Sequence, residues 1–166
     1  MDYLGQGGSY EEMGIAWKRY TEYLDRIENE LPASARAFAR ASWHYDPMHH
    51  WDLHDSWVEE LSIQETRRHD ERSSRDIAIR LRLLGAYHDG HTTLTYTGVR
   101  RYELMLDSAT SVWPHLGHDD LLVDEIRLSD HKLVVHEILF ASGARWVIEC
   151  ADLHYATSIP DVRDNR

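Results

Sequence analysis

The chain has a single cysteine, Cys150, among 166 residues, so it can form no internal disulfide and asks for no oxidising compartment. Cys150 lies inside an apolar strand pattern and reads as a small buried hydrophobe; a nucleophilic thiol needs access and a lowered pKa. No apolar run approaches a membrane span, and the first residues are acidic and polar where a signal peptide is basic and then apolar. The expected location is the cytoplasm. Basic residues are also scarce: 18 Lys and Arg stand against 29 Asp and Glu, a net charge of −11. Such a surface repels phosphate backbones and anionic lipid, which sets aside nucleic acid and membranes as partners. The sequence has no glycine-rich phosphate loop, no G-x-S-x-G elbow and no paired cysteines. These absences weigh against an enzyme, and no cofactor is expected.

A 42% hydrophobic share with six Trp and nine Tyr points to one folded domain over residues 1–166. Residues 1–8 are glycine-rich and predicted to fray. A helical layer is predicted over 9–46. Ser9-Tyr10-Glu11-Glu12 forms a capping box, and Met13, Ala16, Trp17, Tyr20, Leu24, Ile27 and Leu31 recur as one apolar stripe. Trp17, Tyr20 and Tyr23 are expected in the core. Pro32 ends that helix and opens a second over Ala33 to Trp43, with Phe38 as its packing residue, and Asp46-Pro47 stops it.

From Trp51 the period falls towards two, and the rest of the chain is written twice. Trp57 to Ile63 aligns with Leu122 to Leu128, Ile77 to Leu84 with Leu133 to Phe140, and Thr93 to Tyr96 with Trp146 to Glu149. Tyr102 and Tyr155 fall at the same offset. The two copies predict β-meanders over 51–104 and 118–156, followed by a tail over 157–166. Gln64 to Arg75 is expected as an exposed charged loop, and Asp89-Gly90 and Ser142-Gly143 as turns where φ is positive. The predicted fold class is α+β: two N-terminal helices packed on an antiparallel sheet of about six strands, built from two repeated three-stranded meanders.

The candidate chemistry lies in histidines and acids. His44, His49, His50 and His54 form one cluster, His88, Asp89 and His91 a second, and His115 and His118 with Asp119 and Asp120 a third. None carries the spacing and third ligand of a zinc signature, so structural or solvated histidine is the expectation and no metal is assigned. Glu59 and Asp124 sit at matching places in the two copies, and a shared site would raise one pKa enough for general acid work; inward charges on strand edges are the simpler reading. His54-Asp55-Ser56 is no triad, because neighbours on an extended chain face opposite ways.

The run Leu53-His54-Asp55-Ser56, the Asp89-Gly90 hairpin and Tyr96-Thr97-Gly98-Val99 resemble small uncharacterised bacterial domains, some of which are immunity proteins of polymorphic toxin systems. The resemblance implies a non-catalytic protein-binding domain that neutralises a cytoplasm-acting toxin, a cationic protein, through an acidic surface. Residues 111–166 hold ten Asp and Glu against five Lys and Arg, so the acids expected to meet that partner are Asp119, Asp120, Asp124 and Glu125, with Trp113 as anchor. The alternative is a small-ligand or metal-dependent enzyme with its pocket between helices and sheet.

Overall fold

A computed structural model describes residues 1–4, 9–67, 75–106 and 117–159. Two helices, α1 (Tyr10–Ile27) and α2 (Ala33–Ala39), precede eight strands. These are β1 (Trp57–Arg67), β2 (Arg75–Leu84), β3 (His91–Thr97), β4 (Arg101–Met105), β5 (Leu121–Leu128), β6 (Val134–Phe140), β7 (Arg145–Cys150) and β8 (Asp152–Ser158). The class is α+β as expected, but the strands form two antiparallel sheets of four, in the orders β1-β2-β3-β8 and β4-β7-β6-β5. Among the described residues the strands form neither a single six-stranded sheet nor a pair of independent three-stranded meanders. Each meander is completed by the last strand of the other copy: β4 leaves β3 to pair with β7, and β8 leaves β7 to pair with β3.

The two crossing corners lock together. Ala151 N donates to the Thr97 and Gly98 carbonyls at 3.0 and 3.2 Å, and Arg100 N donates to Glu149 O at 2.8 Å. Gly98 holds φ +60, and a Cβ there would lie 2.8 Å from the Ala151 Cβ. Glycine is required at that corner both for its backbone and for the close approach.

Both copies carry a bulge, between Val58 and Glu60 in β1 and between Leu121 and Val123 in β5. Matching the bulges moves the repeat alignment by two residues on this strand. Leu61, not Glu59, then falls on Asp124, and Ile63 falls on Ile126. β1 and β2 also run further than expected into the charged stretch, pairing Gln64 with Ala78 and Arg67 with Arg75. Ladder hydrogen bonds use the backbone and need no apolar pattern. In the β2–β3 turn the positive φ belongs to His88, whereas Gly90 is there because a Cβ would meet the Trp51 ring at 2.4 Å.

The helices break the internal symmetry. α1 starts at the capping box, with Ser9 and Glu12 bonded reciprocally. It buries Tyr20, Leu24 and Ile27 beside β5. The Tyr20 hydroxyl accepts from Ile126 N at 2.7 Å and the Tyr23 hydroxyl from Leu128 N at 2.9 Å, so α1 caps an edge strand that lacks a further partner strand. α2 is shorter than expected. It ends at Ala39, packs on β8 and sends Phe38 against His136 and Tyr155. In consequence Ile126 and Leu153 are fully buried, while their counterparts by ladder register, Ile63 and Tyr102, are 43% and 41% exposed. Among the described residues no helix is long and apolar enough to cross a membrane.

Candidate functional site

Only half of the α1 stripe reaches the core. The stripe residues from Tyr20 onward are buried, but Met13 and Trp17 remain exposed. Their faces form one wall of a cleft of about 550 Å³, within the roughly 300–1,000 Å³ of small-ligand sites. The N-terminal segment contributes Tyr3 and Leu4, the segment after α2 contributes Tyr45, Pro47, Asp52 and His54, and β5 contributes Leu121 to Asp124. Tyr3 and Leu4 stay in place because the backbone N–H groups of Asp2, Tyr3 and Leu4 all donate to the Glu125 carboxylate. Residues 1–4 are therefore anchored, contrary to the fraying expected of them. Trp17 and Tyr45 meet at 4.9 Å and 64°. Among the described residues lining the cleft there is no Ser, Thr, Cys, Lys or Arg.

Two carboxyl groups stand at the cleft wall. Asp52 is buried and its Oδ1 accepts from Tyr45 N at 3.0 Å. Burial pushes its carboxyl above the ordinary range, against the opposing pull of His44 and the backbone N–H groups of Tyr45 and Leu53. Asp124, only 2% exposed, belongs to a network running into the core. Its carboxylate faces His44 Nε2 at 3.0 and 3.1 Å and His136 Nε2 at 3.0 Å. Burial alone would raise this carboxyl, but the His44 charge and the hydrogen bonds from His136 and His44 outweigh it and hold it well below the usual carboxylate range.

The proton inventory then closes. His44 Nδ1 lies 3.0 Å from the Phe38 carbonyl, so both its ring nitrogens face acceptors and both carry hydrogen, making an imidazolium. His136 Nε2 faces the Asp124 carboxylate and its Nδ1 lies 2.7 Å from the Tyr96 hydroxyl, so every member of the network is bonded. A carboxylate pinned in this way holds structure together and is poorly suited to passing a proton.

On the outer face of the second sheet Glu125 and Glu137 are directly opposed and buried. Opposed like charges destabilise a sheet, so each needs cations or donors. Glu137 receives the Met1 ammonium, Arg127 and Arg145, the last at 2.6 Å. Burial would raise the Glu137 carboxyl, but these partners draw it below its ordinary range.

The structure separates most of the residues the sequence grouped. Asp124 and Glu125 are buried and fully engaged inside the protein, so they cannot present charge to a partner; their acids serve the fold. Asp119 and Asp120 are half-buried, and Asp120 accepts from Trp57 Nε1 at 2.5 Å. Trp113 and His115 lie outside the described residues. Glu59 is the bulge residue of the other sheet, bonded to His91 at 3.0 Å and Arg82 at 3.3 Å, and makes no pair with Asp124. His88 turns to the Trp57 ring and His50 to Asp89 and Tyr87, so neither surface group converges. Among the described residues no three His, Cys, Asp or Glu are grouped to hold a metal ion. Trp17, expected in the core, is at the cleft.

Sequence reasoning passed over His136 and Asp52, and grouped His44 with His49, His50 and His54 instead of with Asp124. The available signal was a polar residue directly after an apolar run in a strand: Asp124 after Leu121-Leu122-Val123 and His136 after Leu133-Val134-Val135. Two such residues in adjacent strands must satisfy each other, because a buried polar group without a partner is costly. Compared with known protein families and with curated proteins, the chain matches none.

Proposed function

We propose that this chain is a non-catalytic protein-binding domain, in its most concrete form an immunity protein that occupies a basic surface of a cytoplasm-acting bacterial toxin. The observation that carries the reading is the exposed half of the α1 stripe. Tyr10, Met13, Trp17 and Leu122 form an apolar mouth that folding leaves uncovered, and exposed aromatic and apolar clusters are the usual anchors of protein interfaces. Along the chain Glu11, Asp46, Asp55, Asp119 and Asp120 each lie within two residues of a residue lining the cleft, as do Lys18 and Arg19. An acidic frame around an apolar anchor speeds encounter with a cationic partner and leaves the off-rate to the anchor. The small-ligand alternative draws support from the same cleft, which lies between helix and sheet, but the pinned state of Asp124 favours binding over catalysis.

The test is affinity capture from native lysate at low and then high salt, with wild type beside Met13→Asp and Leu122→Asp. Both substitutions fall at exposed positions. A stoichiometric basic protein should be retained by wild type at low salt, leave at high salt and be lost with either variant. Retention indifferent to both variants would sink the reading, as would an empty capture.

A further inference from the structure

We propose that the cleft between α1 and β5 is an organic-cation site, taking an ammonium group on a compact apolar body, with the charge towards Asp52 and the body against Trp17, Tyr45 and Met13. This deepens the binding reading above and rests on the same cleft being the binding site.

Three observations carry it. First, the lining is aromatic: Tyr3, Tyr10, Trp17 and Tyr45 all contribute, and the Trp17 and Tyr45 rings stand at 64° to each other. Ring faces attract cations through their quadrupole, tryptophan most strongly, and aromatic cages recognise quaternary ammonium groups in this way. Second, the charge balance is negative. Asp52 and Asp124 line the cleft, with no Lys or Arg among the described lining residues. The His44 imidazolium is committed to Asp124 and stacks on Tyr45 at 3.7 Å, and His54 pairs with Asp55 at 3.0 Å. That leaves Asp52 without a cationic side chain bonded to it, its described hydrogen bonds being to backbone N–H. Third, Asp52 is already desolvated in the free protein. A neutral apolar occupant would deepen that penalty and an anion would add repulsion, whereas a cation relieves it.

Isothermal calorimetry on the full chain, at constant ionic strength, compares choline with 3,3-dimethylbutan-1-ol, which has the same shape without the charge. Choline should bind at least about tenfold more tightly. Asp52→Asn, which keeps an acceptor for Tyr45 N, should reduce that preference to within about twofold by weakening choline, and should not weaken the alcohol. Trp17→Leu, at an exposed position, should weaken choline more than the alcohol and carries the test if Asp52→Asn does not fold. n-Butylammonium, run alongside, identifies the source of the charge: preference for it points to a lysine side chain of a partner, preference for choline to a free or methylated ammonium. Equal affinity for choline and its isostere, binding of no probe, or a preference untouched by both variants overturns the proposal. Cation selectivity with an empty lysate capture leaves the site standing and removes the protein-binding reading. A captured partner with no cation selectivity does the reverse.

Discussion

Replacing Asp124 with asparagine probes the interior network most directly. The side chain keeps its shape but loses its charge, and its amide nitrogen confronts a ring nitrogen that also carries hydrogen. His44 is left in a dry interior with its Phe38 bond intact and its counter-charge gone. Removing one partner of a buried ion pair costs about 3–5 kcal/mol. For a chain of this size each kcal/mol moves the unfolding midpoint by roughly 2–4 °C, so Tm should fall by roughly 6–20 °C. The effect must also depend on pH with a defined sign. The folded chain holds the Asp124 carboxyl below its ordinary range, so in acid the unfolded chain binds more protons. The contribution of Asp124 is complete above about pH 4, the ordinary carboxylate region, and is lost as pH falls through the folded value. Below about pH 4 the gap between wild type and Asp124→Asn should therefore narrow as pH falls. Glu137 shifts in the same direction in both proteins and cancels from the difference. Urea unfolding from pH 3 to pH 7 measures the gap. A loss under about 1 kcal/mol at pH 7, the level of an ordinary single hydrogen bond, would refute the network, and so would a gap that widens as pH falls below about 4.

Two further outcomes test the fold. Gly98→Ala should cost about 2–4 kcal/mol in denaturant unfolding, from the left-handed backbone and the 2.8 Å approach to Ala151. Adding Ala151→Gly should recover the contact part, and no recovery would mean that the corners do not touch. Cys150 is buried and burial pushes its thiol up to about 12, so iodoacetamide at pH 8 should label it far more slowly in the native protein than in urea. Equal labelling rates would place the thiol at the surface.

Much of the local structure was legible in the sequence because it rests on neighbours along the chain. The capping box and the stripe behind it located α1, since both are set by three- and four-residue spacing. Alternation and the duplication located three strands in each copy, but not β4 and β8. The Gly98 corner shows where that information stops. A period of two says that a segment is extended and which face is apolar, but not which strand it pairs with. The β4 and β8 patterns fit either sheet, so the exchange of fourth strands was not readable. The same limit displaced the repeat alignment, because a bulge adds a residue without altering the surrounding apolar pattern.

The candidate site was less legible still. Trp17 and Tyr20 belong to one stripe and carry the same periodic signal, yet one lines the cleft and the other is buried, a difference that depends on what packs against each and not on spacing. Asp124 and Glu125 were marked as surface acids by composition, which counts charge without seeing burial. The sequence by itself determined the first helix, three strands in each copy, their duplication and the acidic balance, all of them properties of spacing and content. Tertiary structure decided the strand exchange, the meeting of His44 with Asp124 across eighty residues of chain, and the uncovered half of α1. Those depend on contacts between distant segments, whose free energy is realised only when both are in place.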